Sequence, residues 1–105
     1  MIRHIVLVKF KDDLDPAEID DIFAELHSIE GKIDGLLSIT SGRSESPEKI
    51  ERGYMHGFVV DFADWAALDR YQIHPDHKKL GARLVANAVG GIDGILVFDL
   101  PVSDA

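Results

Sequence analysis

Tyr71-Gln72-Ile73-His74-Pro75-Asp76-His77 contains both a helix stop and a helix start. Pro75 disfavours helical backbone at His74 and suits the first turn of a new helix. Beyond it the apolar positions recur as Leu80, Leu84 and Ala88. Three residues back from Leu80, His77 falls on that same inward stripe. Tyr71 stands three residues after Leu68, on the buried face of the preceding helix. The spacing therefore predicts two helices meeting at a break, with a tyrosine and a histidine both directed inward.

Outward from the break, each side reads as one strand. Before it, Tyr54 to Phe62 alternates, with Tyr54, His56, Phe58, Val60 and Phe62 on one face. Asp64 is placed to cap a helix from Trp65 to about Ile73. After the break, the second helical piece is expected to run to about Val89 and stop at Gly90-Gly91. Ile92 to Leu100 reads as the last strand, with Ile95 and Val97 on one face and Leu96 and Phe98 on the other. Pro101 and Val102 to Ala105 read as a tail.

The first half repeats the pattern without a break. Ile2 to Phe10 is apolar on both parities, which predicts a central strand covered on both sides. Asp15-Pro16-Ala17-Glu18 combines a cap, a proline for the first helical position and the spacing of a capping box. Ile19, Ile22, Phe23, Leu26 and Ile29 then form a helical stripe from which His27 departs. Leu36 to Gly42 reads as a short strand, with Leu37 and Ile39 sharing a face. Arg43 to Gly53 reads as a polar loop with a short helical turn near Glu48–Arg52, either a surface loop or a lid over a pocket. The order β-α-β-β-α-β is the ferredoxin-like, α+β pattern: a four-stranded antiparallel sheet with helices on one face. Its other face stays apolar, and a bare apolar face of that size calls for a partner. The simplest partner is a second copy packed sheet to sheet, a homodimer.

At 105 residues the chain is expected to form one domain, 1–105. It carries 19 acidic against 11 basic residues, a net charge of −8. That balance argues against nucleic acid and anionic membranes as partners. Without cysteine, disulfides, zinc–thiolate sites and thiol nucleophiles are excluded. Arg3, His4 and Lys9 interrupt the opening apolar run, which therefore reads as neither signal peptide nor spanning helix, and a cytoplasmic location is expected.

Four side chains stand out for chemistry. Parity puts His4 and His56 each near the end of a strand, on its strongly apolar face. If that face meets the helices, both lie under Tyr71 and His77. Neutral imidazole is the usual general base near neutral pH. A helix N-terminus beside His77 favours the neutral ring, and Tyr71 is suited to hydrogen-bond a carbonyl oxygen. His74 and His77 bracket Asp76, but a zinc site needs three or four ligands and no third is evident, so no metal is expected. No phosphate-binding glycine loop or Ser-His-Asp elbow is present.

Four motifs in register carry a resemblance across nearly the whole chain. They are His4-Ile5-Val6-Leu7-Val8-Lys9-Phe10-Lys11, Gly53-Tyr54-Met55-His56, Tyr71-x-x-His74-Pro75-x-His77 and Val97-Phe98-Asp99. Together they resemble the stress-responsive A/B barrel (Dabb) family. The resemblance implies a dimeric α+β barrel with two sheets packed together, and no cofactor. Some members are stress-associated plant proteins, and a plant branch closes a polyketide chain by aldol condensation. It implies catalytic roles for Tyr71 and His77 and a pocket role for His4 and His56, with Phe23 and His74 beside them. Phe23 is followed by Ala24 where that branch has large aromatic residues, which implies a different cavity and a different substrate. The expected function is binding, and conversion by cofactor-free acid–base chemistry, of a small carbonyl or aromatic compound. Two rivals stay open: a non-catalytic stress or structural protein, and a cofactor-independent monooxygenase of the same superfamily.

Overall fold

The computed structural model describes residues 1–103; the last two positions of the expected tail, Asp104 and Ala105, lie outside them. The elements are β1 (Ile2–Val8), α1 (Pro16–His27), β2 (Leu36–Arg43), β3 (His56–Phe62), α2 (Trp65–Ile73), α3 (Pro75–Asn87) and β4 (Ile95–Pro101). They build a ferredoxin-like α+β fold. The sheet order is β2-β3-β1-β4, and every neighbouring pair is antiparallel. β1 lies between β3 and β4 at the centre of the sheet; of its two apolar faces, the helices cover the one that holds His4, Val6 and Val8, whereas Leu7 on the other, expected to be covered too, stays 38% exposed.

The three helices cover one sheet face. Ile22, Phe23 and Leu26 of α1, Leu68 and Tyr71 of α2, and Leu80 and Leu84 of α3 bury against Val6, Val8, Phe58, Val60 and Phe62. The opposite face is left bare. Leu7, Leu96, Leu100 and Phe98 remain 38%, 47%, 43% and 61% exposed. Among the described residues, no helix is long and apolar enough to cross a membrane.

The helix-start signals hold with one exception. Asp15 accepts from the Ala17 N–H and Asp64 from the Ala67 N–H. The capping box does not form, because Glu18 accepts from Arg83 of α3 at 2.6 Å instead. Arg83 also donates to Asp21 and Glu25. Its multiple charged donors give Glu18 a stronger partner than a backbone N–H does, so the spacing that suggested a cap instead ties α1 to α3.

The strands differ from their sequence pattern at their ends and at one bulge. β2 shifts register between Leu36 and Ser38. The extra residue puts Leu36 and Ile39 on the core side and leaves Leu37 58% exposed, where strict alternation pairs Leu37 with Ile39. β1 ends at Val8, and Phe10 makes an isolated bridge to Ala88. β3 begins at His56 rather than Tyr54, whose hydroxyl donates to the Asp93 carbonyl. α3 stops at Asn87, and residues 91–94 form a 3-10 turn before β4. Gly94 is packed so tightly there that a Cβ would collide with the Val89 carbonyl oxygen. The expected helical turn at 48–52 is absent, since Lys49 and Arg52 adopt positive φ.

Candidate functional site

The α2–α3 break brings Tyr71 and His77 into contact. His74 closes α2 and caps α3 in extended backbone, accepting from the Asp76 N–H through Nδ1 at 3.1 Å. That turn folds the first turn of α3 back against the last turn of α2. The Tyr71 and His77 ring centroids are 4.3 Å apart, with planes inclined at 52°.

Each of the two side chains has a defined electrostatic state. Tyr71 is 1% exposed, and burial, with no hydrogen bond to offset it, pushes its phenol well above the ordinary value. The tyrosine therefore stays protonated and keeps its O–H as a donor. His77 Nδ1 lies 3.2 Å from the Gln72 carbonyl, which can only accept, so Nδ1 carries the proton. Nε2 is then the free lone pair of the neutral ring. Burial lowers the His77 pKa below its usual value, the Gln72 carbonyl opposes that, and His4 and His74 lower it further. His77 is thus an uncharged base at neutral pH.

His4 lies beside this pair, 4% exposed. Its ring centroid is 5.8 Å from that of Tyr71 and 6.2 Å from that of Phe62. Asp99 of β4, which pairs with His4 in the sheet, binds its Nδ1 at 2.5 Å. The carboxylate can only accept, so Nδ1 carries a proton. Sequence reasoning missed this partner. The signal was there: Asp99 shares parity with Ile95 and Val97, so it is an acid on the inner face of an apolar strand.

His4, Tyr71 and His77 line one cavity of about 280 Å³. Its remaining walls are mostly apolar, supplied by Val6, Phe58, Leu80, Leu84, Ile95 and Val97. The volume lies near the small end of the range typical of small-molecule sites, and the mix of apolar walls with few convergent polar groups is their usual character.

The other expected site residues lie elsewhere. His56 shares the helix-covered face with His4, as parity predicts, but not the cavity. Antiparallel pairing puts the starts of β1 and β3 at opposite ends of the sheet: His4 faces Val60, and His56 faces Val8. The two are four register positions apart, roughly 13 Å along the strands. His56 instead packs on Phe10 and Phe23, at 5.4 and 6.3 Å between centroids. With Pro16, Ile19, Asp20 and Arg43, His56 and Phe23 line a second cavity of about 320 Å³. His74 caps a helix and does not line the cavity at Tyr71. The 43–53 loop is no lid for that cavity. Ile50, Glu51 and Arg52 border a cleft with Ile5, Leu7 and Val59 instead. Among the described residues, no three His, Asp or Glu side chains stand together as a metal site.

A ferredoxin-like sheet with a tyrosine–histidine pair at a broken helix defines a small α+β protein with a pocket between sheet and helices. Residues 2–102 match the family described as Stress responsive A/B Barrel Domain, and the chain belongs to it. A stress-response A/B barrel domain-containing protein of Arabidopsis thaliana is 30% identical over 102 residues, 96% of this chain and 86% of its own length. Olivetolic acid cyclase of Cannabis sativa is 26% identical over 80 residues, 76% of this chain and 79% of the cyclase. Among solved structures, a dimeric ferredoxin-like protein of unknown function from Jannaschia sp. CCS1 superposes with a TM-score of 0.89 at 35% identity, covering 96% of this chain and 98% of that one.

Proposed function

We propose that this protein binds a small carbonyl or aromatic compound in the Tyr71–His77 cavity and converts it by acid–base chemistry without a cofactor. The observation that carries the reading is the contact between a protonated phenol and a neutral imidazole in the wall of an apolar cavity. His77 Nε2 takes a proton from the carbon beside a carbonyl. The electron pair moves to the carbonyl oxygen, and the Tyr71 O–H stabilises the resulting enolate. The enolate carbon then attacks a second carbonyl carbon, whose π electrons move to its own oxygen. His77 returns its proton to the oxygen that becomes hydroxyl. The similarity to olivetolic acid cyclase supports this reaction class.

His4, held by Asp99, serves as a substrate-binding wall of the same cavity. His74 contributes through the cap that places His77. Two copies join through the outer sheet face, in a dimeric α+β barrel. The exposed Leu7, Leu96, Phe98 and Leu100 support that assembly, as does the dimeric description of the Jannaschia protein. The acidic charge speaks against nucleic acid and membrane partners, and the location we assign is cytoplasmic.

The test is turnover of a panel of β-keto acids and hydroxylated aromatic ketones by the wild type, Tyr71→Phe and His77→Asn. The reading expects conversion by the wild type alone, with all three folded. Oxygen consumption coupled to a phenolic substrate would instead make the protein a monooxygenase. Poorer folding of both variants, with no compound bound or converted, would make it a structural protein, a role that the satisfied His4–Asp99 and His74–Asp76 bonds also fit.

A further inference from the structure

His27 departs from the apolar stripe of α1 and takes no part in the Tyr71–His77 site, yet both its ring nitrogens are bonded. It is the last residue of α1. The chain turns there, with the Glu30 N–H donating to the His27 carbonyl at 3.1 Å. That turn brings Glu30 back to the ring, where its carboxylate lies 2.9 Å from His27 Nδ1. A carboxylate only accepts, so Nδ1 carries a proton. On the other side of the ring, Nε2 lies 2.8 Å from the Ser41 hydroxyl. Ser41 stands on β2, two residues past the buried Ile39 and opposite Phe58, so its side chain rises from the helix-covered face to the end of α1. In the neutral ring Nε2 holds the lone pair, and the Ser41 O–H donates to it.

Carboxylate, imidazole and hydroxyl in this order activate a serine, and the arrangement is recognised by geometry and roles rather than by position in sequence. No elbow motif announces it, because an edge strand presents the serine: β2 pairs with β3 alone. The Ser44 N–H donates to the Met55 carbonyl, and the bonds of an antiparallel ladder fall on alternate residues. Ser41, three residues away, therefore points its N–H to the open edge, free to donate to the oxygen of an attacked carbonyl.

We propose that Ser41, His27 and Glu30 form a second site, one that hydrolyses small aryl esters. Ser41 Oγ attacks the ester carbonyl carbon and its proton passes to His27 Nε2, while the π electrons move to the carbonyl oxygen. As that pair returns, the bond to the phenolate breaks, and the phenolate takes the proton from Nε2. Water then attacks the acyl carbon and gives its proton to Nε2. The bond to Ser41 Oγ breaks and Oγ recovers the proton, leaving a carboxylic acid and a phenol. Ser41 and His27 are the catalytic residues, and Glu30 is a positioning residue that keeps Nε2 turned to Ser41. The His27 and Glu30 side chains are 40% and 46% exposed, so the ester arrives from solvent. An open site with one backbone N–H for the oxyanion suits an ester whose leaving group departs readily, as a phenolate does.

The experiment mixes the purified protein with 4-nitrophenyl acetate, follows release of nitrophenolate and maps acetyl groups by peptide mass spectrometry. The variants are Ser41→Ala, His27→Gln, Glu30→Gln and Glu30→Asp, each checked for folding by circular dichroism. The wild type is expected to carry an acetyl group on Ser41 and to release more than one equivalent of nitrophenolate. His27→Gln slows acetylation of Ser41 by about a hundredfold or more, as for loss of a general base. Ser41→Ala removes the labelled position. Glu30→Gln slows the reaction and Glu30→Asp restores part of the rate. Acetyl groups on lysines alone, release that stops at one equivalent, or acetylation of Ser41 as fast in folded His27→Gln as in the wild type overturns the inference. The His27–Ser41 bond then only fastens α1 to β2. The wild-type map decides even where a variant does not fold, and neither result bears on the Tyr71–His77 site.

Discussion

The rings of Tyr71 and His77 are 4.3 Å apart although they belong to different helices, and the helix break at His74-Pro75 is what brings them together. A continuous helix would place residues six apart on different faces. The break is therefore the positioning device of the site, with His74 holding it by capping the next helix.

Tyr71→Phe separates a structural tyrosine from a chemical one. The hydroxyl has no hydrogen bond within the described protein, so its loss leaves no orphaned partner. We expect thermal or denaturant stability to change by less than about 1 kcal/mol, while turnover falls by roughly 100-fold or more, as for loss of an oxyanion donor. A large loss of stability would point to a structural role.

The depressed His77 pKa gives stability a defined pH dependence. The unfolded chain binds a proton at His77 near pH 6.5, and the folded protein only at lower pH. Between those two values the unfolded state holds more protons, so stability rises with pH there. It is fully present above about pH 6.5, is lost as pH falls through the folded pKa, and levels off below it. His56 is shifted in the same direction and adds to the same slope. Urea unfolding between pH 5 and 8, repeated on His77→Asn, is expected to show a shallower slope in the variant.

Asp99→Ala would strand a buried N–H on His4. We expect a cost of about 1–3 kcal/mol, the usual penalty for an unpaired buried polar group. His4→Leu in the Asp99→Ala background removes that orphan, so the double variant is expected to recover part of the loss. A double-mutant cycle in denaturant measures the coupling. Additive losses would mean that the pair does not act together.

Phe98 is the most exposed of the large apolar side chains on the outer sheet face. Phe98→Lys and Leu7→Lys together would put two charges into the apolar face proposed as the dimer interface. Light scattering after size exclusion is expected to show a dimer for the wild type and a monomer for the double variant. A wild-type monomer would remove the barrel.

How far the fold could be read from the chain differs by element. The helix starts were plain because Asp15-Pro16, Asp64 and His74-Pro75 are local signals whose partners lie within a few residues. The face of Leu37 was not, because a bulge depends on the partner strand. At the site, Tyr71 and His77 came from helical spacing across the break. Shared parity put His4 and His56 on one face, but where each sits along the sheet depends on antiparallel register, which separates them. Parity marked Asp99 as an acid on an apolar strand face, but its pairing with His4 was legible only once β4 was known to lie beside β1.

The most direct test of the central claim is native mass spectrometry of the freshly purified protein, alone and after incubation with the keto acids and aromatic ketones. The account predicts a dimer that carries a small additional mass, absent from the Tyr71→Phe/His77→Asn double variant. A folded dimer that takes up no compound, or takes it up equally in the double variant, would contradict it.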